Sequence, residues 1–105
     1  MRYQESDVTA DVRFFTASEG GRTTATPPDH HGCIFVYEGE NFECRLLLAD
    51  IGPVAPGQQA TVGIKFLRPE LIKPRLQPGS PFKLREIKTI GEGTVERIWE
   101  CPAVT

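Results

Sequence analysis

The sequence contains no phosphate-binding loop of the form Gly-x-x-x-x-Gly-Lys-Ser/Thr and no Gly-x-Ser-x-Gly nucleophile motif. The first absence removes the usual cradle for a nucleoside triphosphate, and the second removes the nucleophile turn of the α/β-hydrolases. No apolar run approaches the length of a membrane-spanning helix, and residues 2–12 lack the apolar stretch of a secretory signal. These absences predict a cytoplasmic protein without membrane association, bound nucleotide or cofactor.

Basic residues are not in excess. The chain has 12 lysines and arginines against 14 aspartates and glutamates, a net charge of −2. A dedicated nucleic-acid binder usually carries a basic excess, because phosphate contacts dominate its affinity. Cysteine is scarce, with only Cys33, Cys44 and Cys101 and no Cys-x-x-Cys pair. In a cytosolic protein, these cysteines are predicted to be three reduced thiols. The alternative is one disulfide and one free thiol.

Residues that could carry chemistry are few. His30 and His31 precede Cys33 and offer zinc-binding side chains, but a structural zinc needs four ligands. Cys44 and Cys101 would then have to converge on the same point. A cysteine nucleophile needs a histidine oriented as its base, and nothing in the sequence orients one. We therefore predict that the protein is not an enzyme and holds no metal.

The sequence does contain a series of short alternating segments separated by glycine and proline. Val8, Ala10, Val12 and Phe14 alternate with their neighbours in the period of a strand with one apolar face. Five further strand-like segments are found at residues 32–37, 42–48, 60–67, 82–87 and 93–99. No segment of comparable length has helical periodicity. Six strands and frequent turn signals predict an all-β barrel or sandwich.

The order of the short motifs carries further information. They are Ala10-Asp11-Val12-Arg13-Phe14, Glu19-Gly20-Gly21-Arg22, Phe35-Val36-Tyr37, Val54-Ala55-Pro56-Gly57, Phe66-Leu67-Arg68-Pro69, Leu76-Gln77-Pro78-Gly79, Phe82-Lys83-Leu84-Arg85-Glu86 and Gly91-Glu92-Gly93-Thr94-Val95. In this order they resemble the C-terminal β-barrel domain of bacterial elongation factor Tu, and more closely free-standing homologues of that domain. The resemblance implies a six-stranded antiparallel β-barrel. We expect it at residues 8–100, between a flexible leader at 1–7 and a tail at 101–105.

The resemblance also implies a surface that docks on a neighbouring protein domain and contacts the T-stem of aminoacyl-tRNA. Two departures bear on the tRNA contact. Ile34 stands where the family has a tRNA-contacting glutamine, and Ile87 replaces a glycine that approaches the tRNA backbone, unless that glycine is deleted. Since only glycine offers such close backbone approach, the departures disfavour nucleic acid as a partner.

We therefore predict a non-catalytic binding module that engages a protein partner. The predicted partner-binding residues are Glu19, Gly20, Gly21, Arg22, Arg85, Glu86 and Lys88. Arg22 could alternatively hold its own loop, by binding backbone carbonyls or pairing with a carboxylate such as Glu86. The alternative function is an RNA- or tRNA-binding accessory protein linked to translation. Its phosphate-binding basic patch would consist of Lys65, Arg68, Lys73 and Arg75.

Overall fold

Six antiparallel strands form the framework of residues 6–99, the part of the chain that a computed structural model describes. The strands are β1 (Val8–Phe14), β2 (His30–Tyr37), β3 (Glu40–Leu47), β4 (Gln59–Phe66), β5 (Pro81–Arg85) and β6 (Thr89–Ile98). They form a closed barrel in the order β1-β4-β3-β2-β5-β6, and β6 pairs back onto β1. Closure pairs both edges of every strand with a neighbour. The predicted six-stranded antiparallel barrel is confirmed.

The alternation of apolar residues places the core inside the barrel. In β1, the predicted inward residues Val8, Ala10, Val12 and Phe14 are all buried. The same period of two continues on the neighbouring strands, so the barrel is filled by side chains from all six strands. Burial of this apolar surface is the main source of free energy for folding.

Three aromatic rings form a cluster within the core. The Phe35 ring, on β2, stacks on that of Phe82 at 4.3 Å between centroids and meets the edge of Phe66 at 4.9 Å. The three rings come from β2, β5 and β4, so they connect strands that are distant along the chain. Phe35 has no exposed surface, and it is the central packing residue of this cluster.

Tight turns join several of the strands. Glu38 and Gly39 connect β2 to β3 with φ of 50° and 81°, the positive values that a two-residue hairpin turn requires. The φ preferences of Pro56 and Gly57 predict a turn at 56–57, and Gly57 has the positive φ of such a turn, 86°. The turn at 78–79 likewise has its glycine at 93°. Glycine at these corners avoids the steric penalty of a side chain at positive φ.

The residues just before β1 are tied to the barrel. Ser6 and Asp7 are buried, and the Asp7 carboxylate accepts a 2.7 Å hydrogen bond from the backbone N–H of Phe66. The Asp7 N–H donates to the carbonyl of Ile64. Asp7 thus anchors the segment that precedes β1, while β1 itself begins at Val8. Residues 1–5, residue 100 and the predicted tail at 101–105 lie outside the described residues.

Strand β6 begins earlier than predicted, at Thr89 rather than at residue 93. Gly91 and Gly93 belong to this strand because they lie against the backbone of β1. A Cβ atom on Gly93 would lie 2.3 Å from the carbonyl oxygen of Asp11, and one on Gly91 would lie 2.9 Å from that of Arg13. The glycines in this motif therefore permit close strand packing.

Candidate functional site

The antiparallel order divides the connecting segments between two ends of the barrel. The upper end carries the segments at 15–29, 48–58 and 86–88, and the lower end carries those at 38–39 and 67–80. The predicted partner-binding residues all belong to the upper end or to the strand that leads into it. The predicted basic patch belongs to the lower end. The fold thus separates the two candidate surfaces.

The double-glycine motif follows a capped 3-10 turn, Ala17–Glu19. The Thr16 hydroxyl accepts from the Glu19 N–H, and the Glu19 carboxylate accepts from the Thr16 N–H at 2.9 Å. This reciprocal pattern is a capping box. Gly20 then takes a φ of 95°, and the Gly21 N–H donates to the Thr16 carbonyl at 2.8 Å. The chain therefore turns sharply at the two glycines.

The Glu19 carboxylate stabilises this turn through two hydrogen-bonding partners. Its carboxylate accepts hydrogen bonds from the Thr16 N–H and from the Arg13 guanidinium, which lies 3.1 Å away. These contacts lower the pKa of Glu19 below its usual value of 4.5, with the Thr16 N–H as the largest cause. A lowered pKa in the folded state means that the ionised carboxylate stabilises the fold.

We expect the Glu19 carboxyl, followed by NMR, to titrate with a midpoint below 4.5. Its contribution to stability is present above the unfolded-state pKa and is lost as the pH falls through the folded-state pKa. The variant Arg13→Gln should raise the midpoint only in part, because the Thr16 N–H remains. A wild-type midpoint at or above the usual value would contradict the assignment.

Glu86 joins two separate segments of the upper end. Its Oε2 accepts a hydrogen bond from Nη1 of Arg22, and Nε2 of His31 lies 2.5 Å from the same oxygen. Arg22 also donates to the carbonyls of Thr24 and Ala25, each at 3.3 Å. Both partner types proposed for Arg22 from the sequence are thus present. The contact between Arg22 and Glu86 is a single hydrogen bond, from Nη1 of Arg22 to Oε2 of Glu86.

The contact of His31 was missed from the sequence. His31 lies at the start of strand β2 and Glu86 follows β5, and the two residues are 55 positions apart in the sequence. Only the pairing of β2 with β5 brings these two residues together. The strand alternation does place His31 on the same face as Cys33 and Phe35, which are buried, and that was the available signal.

The turn between β5 and β6 presents an apolar side chain to solvent. The Glu86 N–H donates to the Lys88 carbonyl at 2.9 Å and closes the turn around Ile87. The Ile87 residue is 99% exposed, the highest value among the large hydrophobic residues of the described chain. Arg85 and Lys88 flank it, and Arg85 Nη1 lies 3.4 Å from the Glu86 carbonyl.

The predicted basic patch is largely paired with acidic groups. Arg68 Nε lies 2.8 Å from Glu70, and Arg75 lies 2.9 Å from both Glu38 and Glu40. The Arg75 guanidinium also lies 5.5 Å from the Tyr37 ring centroid and 5.7 Å from that of Phe42. Arg75 therefore fastens the lower loop to the β2–β3 hairpin. These two arginines offer little uncompensated charge to a phosphate.

Lys73, another member of the predicted patch, has a structural environment. Its side chain is only 16% exposed, and Nζ donates to the carbonyl of Trp99 at 2.6 Å. The carboxylate of Asp7 lies 3.6 Å from the same nitrogen. Lys73 thus connects the lower loop to both ends of the described chain. Lys65 lies on the exposed face of β4, so the four residues do not act as one free basic surface.

The arrangement of histidine, cysteine and acidic side chains bears on catalysis and metal binding. Within residues 6–99, no set of three or more histidine, cysteine, aspartate or glutamate side chains is arranged to hold a metal ion. Cys33 and Cys44 are buried free thiols. A hydrogen bond with Cys33 and burial together raise the pKa of the Cys44 thiol well above its usual value, which suppresses the nucleophilic thiolate. Cys101 lies outside the described residues.

The part of the chain that the structure describes contains no helix long and apolar enough to span a membrane.

Comparison of the chain with known protein families and with curated proteins finds no match. The relationship to elongation factor Tu therefore stays a prediction. The barrel architecture and the geometry of its upper end are the basis for the proposal that follows.

Proposed function

We propose that the chain is a non-catalytic binding module whose upper end engages a protein partner. The observation that carries the proposal is the ordered exposure of Ile87. Single apolar side chains are common on protein surfaces. Ile87 differs because Glu86, the preceding residue, is held by Arg22 and His31 from two other segments. The turn is therefore preorganised, which lowers the entropic cost of binding.

The surrounding charges define the chemistry of the partner. Among the described residues, no carboxylate lies within ion-pair distance of Arg85 or Lys88, the two cations that flank Ile87. Glu86 is itself occupied by Arg22 and His31. The turn between β5 and β6 thus combines one apolar side chain with two uncompensated positive charges. A complementary partner is a protein with an apolar pocket bordered by aspartate or glutamate.

We further propose that the chain is a free-standing relative of the C-terminal domain of elongation factor Tu. The closed antiparallel barrel and the order of the motifs support this relationship. A role in translation and RNA binding is the alternative function. It receives less support, because Arg68 and Arg75 are paired with carboxylates and Lys73 is mostly buried. RNA binding is therefore an outcome that the experiment must distinguish.

Replacing Ile87 with aspartate is expected to weaken partner binding on the order of 10-fold or more, because it removes the apolar contact and opposes the acidic rim. The matched control is Leu67→Asp, since Leu67 is 66% exposed at the lower end. Tagged wild type and both variants would be used to capture partners from cells. The partner retained by wild type would then be purified, and its affinity for each protein measured by titration calorimetry.

The expected pattern is retention by wild type and Leu67→Asp and loss by Ile87→Asp, with equal melting temperatures for all three. Equal capture by all three proteins would overturn the assignment to the upper end. Capture that disappears on nuclease treatment and weakens steeply with salt would show an RNA ligand and overturn the protein-binding proposal.

A further inference from the structure

Two buried cysteines face each other across neighbouring strands. Cys33 on β2 and Cys44 on β3 are directly opposite in the antiparallel register. Their sulfur atoms are 3.6 Å apart, although the residues are separated by 11 positions along the chain. Cys33 is 9% exposed and Cys44 is 7% exposed. The fold thus holds a pair of thiols in contact inside the barrel wall.

We propose that Cys33 and Cys44 are a site of reversible oxidation, where a peroxide converts the two thiols to a disulfide within the intact barrel. Residues directly opposite in an antiparallel pair have Cα atoms about 4.5–5.5 Å apart. A disulfide accepts Cα separations of about 4.4–6.8 Å. The backbone is therefore already placed for the bond. Rotation about the side-chain torsions has to bring the sulfurs about 1.5 Å closer.

The reaction balances with one peroxide molecule. One thiol, acting as thiolate, attacks a peroxide oxygen, the O–O bond breaks, and a sulfenic acid forms with release of water. The second thiol then attacks the sulfenic sulfur, and the S–O bond breaks as the S–S bond forms, releasing a second water. The two sulfurs together lose two electrons, which reduce the peroxide. A dithiol reductant reverses the change by exchange.

The surroundings of the pair favour a small oxidant. A surface groove of about 550 Å³ includes Gly32, Cys33 and Cys44 among its lining residues. At Gly32, a Cβ atom would meet nothing closer than the Cys44 carbonyl at 4.0 Å, so the groove is not crowded at this position. The hydrogen bond with Cys33 and burial raise the pKa of the Cys44 thiol. Peroxide can reach such a site more readily than a bulky disulfide such as glutathione disulfide.

Oxidation has a mechanical consequence for the barrel. The bond would join β2 to β3 near the middle of both strands, across the pairing that continues from their two-residue turn. A cross-link that the native backbone accommodates stabilises mainly by restricting the unfolded chain. The oxidised barrel should therefore melt at a higher temperature than the reduced one.

The test uses the full chain with Cys101→Ser, so that only the proposed pair can react. The folded protein would be treated with a small excess of hydrogen peroxide, quenched, and analysed by intact mass and by alkylation after denaturation. The expected product has lost the mass of two hydrogen atoms and has no alkylatable thiol. Dithiothreitol should restore both thiols. The melting temperature should rise by about 5–10 °C on oxidation.

The matched control is Cys33→Ala in the same Cys101→Ser background. This protein keeps Cys44 and cannot form the internal bond, so it should not show the two-hydrogen loss. Several results would overturn the proposal: two free thiols after treatment, addition of oxygen atoms without the internal bond, or intermolecular dimers as the only product. Formation of the bond with loss of the native circular dichroism spectrum would also overturn it, because the proposed disulfide belongs to the folded barrel.

Discussion

Replacing Phe35 with alanine is expected to lower the free energy of unfolding by about 3–5 kcal/mol. The Phe35 ring is completely buried and contacts the rings of Phe66 and Phe82 from two other strands. Removing it takes away the transfer free energy of a buried aromatic ring and leaves a cavity that the surrounding strands cannot fill. A small domain has about 5–15 kcal/mol of stability in total, so the variant should be close to unfolding.

The measurement is equilibrium denaturation by guanidinium chloride, followed by circular dichroism. Phe15→Ala is the matched control, because Phe15 is only half-buried and lies outside the core cluster. Phe35→Leu tests the shape of the site, since it keeps apolar volume but loses the ring contacts, and should fall between wild type and Phe35→Ala. A Phe35→Ala variant no less stable than Phe15→Ala would show that the aromatic cluster does not carry the core.

The second large effect is expected at Gly21. A Cβ atom there would lie 2.2 Å from the carbonyl oxygen of Phe15 and 2.8 Å from the Phe15 Cβ. The obstacle is backbone, so the chain must move away from the end of β1. Gly21→Ala should therefore destabilise by about 2–4 kcal/mol, the range for overpacking and backbone strain.

Gly20 provides a comparison within the same motif. A Cβ atom on Gly20 would meet nothing within 4 Å, but the residue has a φ of 95°. Gly20→Ala should therefore cost only the strain of positive φ, about 1–2 kcal/mol, and Gly20→Asn less, since asparagine tolerates this region better. Urea denaturation of the three variants gives the order directly. If Gly21→Ala were the mildest of the three, the close approach to Phe15 would be refuted.

Much of the barrel was predictable because strand formation has local signals. The alternation from Val8 to Phe14 identified the buried face of β1, since a strand turns every second side chain to the same side. Pro56 and Gly57 identified a turn from their φ preferences alone. By contrast, Gly91 was not predicted to lie in β6, and Gly93 was predicted to be its first residue although the strand begins at Thr89. Their purpose is contact with β1, whose position relative to β6 is not a local property.

In the candidate site, too, some contacts were predictable from the sequence and others depended on the tertiary structure. The contact of Arg22 with Glu86 was among the predicted alternatives because the two motifs were already associated in the resemblance. The contact of His31 with Glu86 was not predicted, since it depends on β2 lying beside β5. Lys73 was assigned to a basic patch by its charge, but the fold places it against Asp7 and Trp99.

The sequence by itself determined the class of fold, several of the turns and the buried face of β1. These follow from backbone preferences and from hydrophobic periodicity over a few neighbouring residues. The tertiary structure decided which cations are free and which are paired, which glycines admit another backbone, and that Cys33 and Cys44 face each other. Such properties depend on strand order and register, and those are chosen by packing across the whole barrel rather than by any local segment.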